Sequence, residues 1–178
     1  MTRAEGVSQG GAVAPLRAKV LTVSDGVVGG TREDRSGAAL AELLSGDGFE
    51  VVERTVCPDG IDSVSAALTT LVEGFCGLIV TTGGTGFGPR DLTPEGTQRV
   101  VERVAPGLAE AMRAVSPLGR LSRGVSGTAG RCLILNLPGS PAGAVECIRA
   151  VLDVLPHALG LVAGEPDPHP TGNRPGPR

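Results

Sequence analysis

Gly83, Gly84, Gly86 and Gly88 place four glycines within six positions, directly after the apolar, β-favouring run Leu78-Ile79-Val80. Lacking Cβ atoms, this backbone can turn tightly and aim successive N–H groups at one concave point, an arrangement that holds phosphate oxygens. Glycines also serve simply to permit a turn, but this density at the end of a strand favours the ligand reading. Downstream, Thr93-Pro94-Glu95 combines an N-cap candidate, a proline at the first helical position and an acid in the first turn. A helix is therefore predicted to open there and to add its dipole to the anion site. The segment is not a dinucleotide fingerprint, because Pro89 stands where the third glycine belongs, nor a Walker A loop, because no Gly-Lys-Ser/Thr triplet occurs.

Asp91 lies between Arg90 and that helix start, where a carboxylate can ligate a Mg2+ bridging bound phosphates. An ion pair with Arg90 or a capping role would serve the same residue. Asp59 sits in Pro58-Asp59-Gly60, which is also ordinary turn chemistry. Together the two carboxylates and the nest would make a magnesium site for nucleotide chemistry. Arg90, Arg123 and Arg131 are candidates to clamp an anionic substrate, although any one arginine is more often a solvated surface residue. Ser24-Asp25 ends an apolar run, and Pro138-Gly139-Ser140-Pro141 offers a hydroxyl and free N–H groups in a turn.

The elements that must position these residues alternate. Ala18 to Ser24 reads as a strand buried on both faces, and Asp34-Arg35-Ser36 as the start of a helix carrying Leu40, Leu43 and Leu44. Phe49 to Val56 is a second strand whose Glu53 and Arg54 suggest an edge, followed by a helix through Ile61, Val64, Leu68, Leu71 and Val72. Gly77 to Thr82 is the third strand. Helical pieces follow over Thr97 to Val104 and Gly107 to Val115, then a loop-rich region over 116–130, a fourth strand Arg131 to Leu137, and a last helix Ala144 to Leu159. This alternation predicts an α/β protein, a mostly parallel sheet with helices on both faces. Ligands bind such sheets at the carboxyl ends of the strands, where Asp25-Gly26, Cys57-Pro58-Asp59, Gly83 to Asp91 and Pro138 to Pro141 converge. The expected organisation is a flexible segment over 1–16, one α/β domain over 17–163 and a disordered Pro/Gly-rich tail over 164–178.

Composition narrows the partners. A net charge of −3, a single lysine, three Phe and no Tyr or Trp provide neither a basic stripe nor stacking aromatics, so nucleic acid is not expected. No apolar run reaches membrane-spanning length, and residues 1–15 lack the apolar stretch of a secretory signal, so a cytoplasmic protein with no membrane contact is expected. Cys57, Cys76, Cys132 and Cys147 form no C-x-x-C pair and read as packed thiols. With only two histidines, a zinc site is set aside.

Four motifs in order resemble the molybdenum-cofactor biosynthesis family: Val23-Ser24-Asp25, Asp34-Arg35-Ser36-Gly37, Thr82 to Glu95, and Leu135-Asn136-Leu137-Pro138-Gly139-Ser140-Pro141. The resemblance spans about residues 17 to 162. The wording Gly-Phe-Gly-Pro-Arg-Asp is closest to molybdopterin adenylyltransferases and the corresponding domains of plant and animal fusion proteins. It implies a three-layer α/β sandwich, a homotrimer, and transfer of AMP from Mg-ATP to the terminal phosphate of molybdopterin. Asp59 and Asp91 fall on the family's two functional aspartates, as catalytic groups and Mg2+ ligands. Nucleotide and phosphate binding falls to Gly83, Gly84, Thr85, Gly86, Thr93, Pro94, Glu95, Gly139 and Ser140. Pterin binding falls to Ser24, Asp25, Arg90, Ser122 and Arg123. Molybdate insertion is expected to need a separate protein. A molybdopterin-binding scaffold without activity is the alternative within the family, and a nucleotide hydrolase is a more distant one. Gly96 departs from the family's usual Ala, which by propensity alone weakens the helix by about 1 kcal/mol, and the loop Asp25 to Gly30 lacks the usual serines.

Overall fold

The computed structural model describes residues 16–164; apart from Leu16 and Gly164, the two expected loose ends lie outside the described residues. Six strands form one sheet: β1 (Leu16–Val23), β2 (Phe49–Cys57), β3 (Cys76–Thr82), β4 (Arg103–Val104), β5 (Ser126–Ala129) and β6 (Arg131–Leu137), in the order β2-β1-β3-β6-β5-β4. The first four in that order are mutually parallel, and β5 and β4 are antiparallel additions. The edge position predicted for Phe49 to Val56 is the observed one.

Helices cover both faces, giving the three-layer sandwich, and a four-residue helix α1 (Asp25–Val28) follows β1 directly. Strand side chains alternate between two cores with period two. Val20, Leu78, Val80, Leu133 and Leu135 face α2 (Arg35–Gly46), α5 (Pro106–Ala114), α6 (Pro141–Arg149) and α7 (Leu155–Ala163). Leu21, Val23, Ile79, Cys132 and Ile134 face α3 (Ile61–Val72), on which α4 (Thr93–Gln98) packs. Burial on both faces is why these strands read as continuous apolar runs rather than alternating ones.

Three expectations are corrected. The helix expected over Thr97 to Val104 stops at Gln98, because Glu102 and Ala105 donate their N–H groups to Thr128 and Ser126 and draw β4 onto the sheet. The loop-rich region contains a 3-10 turn (Pro117–Leu121) and β5, both too short to give a periodic signal. The last helix is two: Pro156 has no N–H to donate and occupies the first turn of α7, so the chain breaks after Arg149 and restarts.

The chain leaves β1 toward β2 on one side and returns to β3 on the other. The crevice between the carboxyl ends of β1 and β3 is therefore the topological switch point of the sheet.

Candidate functional site

At that crevice the loop after β3 is pressed against its neighbours so closely that only glycine fits. Gly83 and Gly84 have φ of 102° and 63°. A Cβ on Gly83 would lie 2.3 Å from the Val23 carbonyl oxygen, and one on Gly84 would lie 2.3 Å from Thr93 Oγ1. Gly139 closes in from the β6 side, where its Cβ would stand 3.2 Å from Gly83 Cα. The Gly83 N–H donates to the Leu137 carbonyl at 3.2 Å, and Thr82 Oγ1 donates to the Pro138 carbonyl at 2.7 Å.

Thr93 is not the helix cap. That position belongs to Leu92, which makes no side-chain bond, and the buried Thr93 hydroxyl donates instead to the Gly83 carbonyl at 2.9 Å. Thr93 and Pro94 are buried beneath the loop and support it rather than face a ligand.

Two carboxylates flank the loop. Asp59 Oδ2 accepts from the Asp25 N–H at 2.8 Å, and Asp91 Oδ2 accepts from the Gly88 N–H at 2.8 Å. Their other oxygens make no protein hydrogen bond among the described residues, and a Cβ on Gly84 would stand 3.2 Å from Asp59 Oδ1. Asp59 and Asp91 thus line one cavity, each with one oxygen free to accept. No group of three or more His, Cys, Asp or Glu side chains gathers among the described residues. A Mg2+ at this pair would therefore complete its shell with phosphate and water oxygens, which suits that ion. Beside Asp59, burial and then the Asp59 charge push the Cys57 thiol up to about 11, so it stays protonated at neutral pH.

The arginines divide into two kinds. The Arg90 guanidinium donates to both carboxylate oxygens of Asp25, at 3.1 and 3.0 Å, and to the Asp59 carbonyl at 2.7 Å. Asp25 Oδ1 in turn accepts from the Asp59 N–H at 3.0 Å. Arg90 and Asp25 thereby bolt three loops together. Arg123 donates to the carbonyls of Gly86 and Asp91 and pairs with Glu95, and its own N–H holds the Thr85 carbonyl. The Arg123 hydrogen bond holds the Glu95 carboxyl below its usual range. Arg131 opens β6 at the opposite end of the sheet and donates to the Ala163 carbonyl, away from the site.

A cavity of about 910 Å3 spreads over this edge, lined by Ser24, Asp59, Gly83 to Gly86, Asp91, Gly139 and Ser140. Arg32, Arg35 and Ser36, which residue type alone does not mark as ligand contacts, line it as well. Their signal in the sequence is the pair of arginines on either side of Glu33-Asp34, at the start of α2. A second, more apolar pocket of about 360 Å3 adjoins it, sharing Thr85 and Ser140. Met112, Leu118, Leu121, Ser122 and Asn136 are among its walls. Asn136 is buried and donates to Thr81 Oγ1 at 2.9 Å and Thr97 Oγ1 at 3.0 Å, and accepts from the Val125 N–H at 3.2 Å.

A glycine-rich loop flanked by two carboxylates, at the switch point of a mostly parallel sheet, defines an α/β protein whose site geometry suits phosphate oxygens. Residues 19–157 match the family described as "Probable molybdopterin binding domain". The chain is 38% identical over 152 residues to the molybdopterin adenylyltransferase of Helicobacter pylori, covering 82% of this chain and 86% of that one. The crystal structure of the molybdopterin biosynthesis enzyme MoaB from Thermus thermophilus is similar at 50% identity and a TM-score of 0.79, over 85% of this chain and 98% of that one. The Mog protein from Mycobacterium ulcerans gives 42% and 0.78, over 83% and 99%. The chain belongs to the molybdenum cofactor biosynthesis family.

Proposed function

We propose that this chain is a molybdopterin adenylyltransferase, which moves AMP from Mg-ATP to the terminal phosphate of molybdopterin and releases pyrophosphate. The single observation that carries the reading is the pair Asp59 and Asp91, which line one cavity beside the glycine loop, each with one unbonded oxygen. In this reading the nest and carboxylates hold the nucleotide phosphates, and the adjoining pocket of about 360 Å3 takes the pterin. Ser122 then serves the pterin directly. Arg90, Asp25, Arg123 and Glu95 act as positioning residues, because their charges are already committed to one another.

A Mg2+ held by Asp59 and Asp91 would neutralise phosphate charge. An oxygen of the molybdopterin phosphate forms a bond to the α-phosphorus, and the bond from that phosphorus to the bridging oxygen breaks, its electron pair leaving with pyrophosphate. The attacking phosphate is already ionised near neutral pH, so the protein contributes position and field rather than a general base. Thr85 and Ser140, shared by the two cavities, sit at the junction where this transfer would occur. A homotrimer and a separate molybdate-insertion protein belong to the same reading.

Incubating the purified chain with Mg-ATP and molybdopterin is expected to yield adenylylated pterin by mass spectrometry. Pterin binding without that product would replace the enzyme by a scaffold.

A further inference from the structure

One end of the large cavity is made by the start of α2 and does not belong to the glycine nest. Three observations meet there. Ser36 is 7% exposed, and its hydroxyl lines the cavity with no hydrogen-bond partner among the described residues. The hydroxyl is open to the cavity rather than sealed in the core, where Ser126 Oγ alone is buried without a partner among the described residues, so it can hydrogen-bond a ligand there. Arg32 and Arg35 line the same end and are exposed. Neither takes part in an ion pair among the described residues, whereas Arg90 and Arg123 are each matched by a carboxylate. Finally, α2 runs twelve residues and has no acid in its first turn. The Asp34 side chain satisfies the Gly37 N–H there and is itself neutralised by Arg54. An arginine at the positive end of a helix dipole is the unfavourable choice unless an anion sits between them. Glu33 also lines this end, so the three charged side chains sum to one positive charge before the dipole is counted.

We propose that Arg32, Arg35 and Ser36 form a subsite for the two phosphoryl groups of the nucleotide that leave as pyrophosphate. This rests on the nucleotidyl-transfer reading above. The site then has three stations. The pterin lies in the apolar pocket beyond Thr85 and Ser140, the α-phosphate lies at the nest between Asp59 and Asp91, and the departing pyrophosphate lies against α2. The electron pair of the breaking bond moves toward unpaired guanidinium groups, which stabilise charge where it accumulates. Arg35 and Arg32 present several donors each, which suits an anion with oxygens on two phosphorus atoms.

The test is isothermal titration calorimetry of the full chain with Mg-pyrophosphate, Mg-ATP and AMP, on the wild type and on Arg32→Gln, Arg35→Gln and the double variant. Both arginines are exposed, so the substitutions are expected to leave the thermal midpoint unchanged. Affinity for Mg-pyrophosphate and Mg-ATP is expected to fall about 10-fold per arginine, with AMP affinity unaltered. Arg35→Lys, which keeps the charge, is expected to regain part of the loss. A wild type that does not bind Mg-pyrophosphate, a double variant that binds it unchanged, or an equal loss for AMP would each overturn the subsite. The two readings fail separately. Adenylylated pterin with unaltered pyrophosphate affinity in the double variant removes the subsite alone, while arginine-dependent pyrophosphate binding without adenylylation removes the transfer alone.

Discussion

Asp91 is held by the Gly88 N–H through one oxygen and free at the other, so an amide in its place keeps the loop contact and loses the charge. Asp91→Asn is expected to fold normally, with an unchanged thermal midpoint, and to lower turnover on the order of 100-fold or more. Unchanged turnover would remove Asp91 from the mechanism. Gly96 shows how a residue's neighbours can outweigh its propensity. The sequence presents it as a weak point in a helix, yet its Cβ would fall 2.7 Å from Val64 Cβ and 2.9 Å from the Ile61 carbonyl oxygen. Alanine there would gain about 1 kcal/mol of helix propensity and lose about 1–3 kcal/mol to overpacking. Gly96→Ala is therefore expected to lower the stability measured by urea unfolding, and a rise would show that α3 and α4 can separate freely.

At the scale of elements, β1, β3, β6, α2 and α3 were legible because each carries a long apolar signal of one period. The glycine loop was legible for the opposite reason, since no other demand explains so many glycines together. β4 and β5 were not, because two and four residues cannot show a period and are set by pairing with a distant strand. The roles of Arg90 and Arg123 were hidden as well. A sequence displays their charge but not the Asp25 and Glu95 that consume it. The Glu95–Arg123 pair has a measurable consequence across α4 and the glycine loop. Its carboxyl is held below the usual range, so its stabilising contribution is complete above the unfolded value of about 4.3 and is lost as pH falls through the folded one. The thermal midpoint of the wild type is expected to drop more steeply below about pH 4.3 than that of Glu95→Gln. Parallel curves would show that the pair does not hold the loop.

On the scale of the whole molecule, four strand ends deliver the site and one sheet sets their spacing. The register between β1 and β2 shifts at Ala18/Lys19, while β1 with β3 and β3 with β6 pair without interruption. No helix among the described residues is long and apolar enough to cross a membrane. Seen from the ligand, the ties among Asp25, Asp59 and Arg90 mean that the loops are already in place before anything arrives. Mixing the protein with nucleotide should then give one exponential phase whose rate grows in proportion to concentration, at the 10^5–10^7 M−1 s−1 typical of encounter between preformed surfaces, roughly. A rate that levels off in stopped-flow traces would instead report a closing step. A site bolted together in this way waits for its ligand, so at a given concentration the difference in occupancy between one ligand and another is set mainly by how fast each leaves.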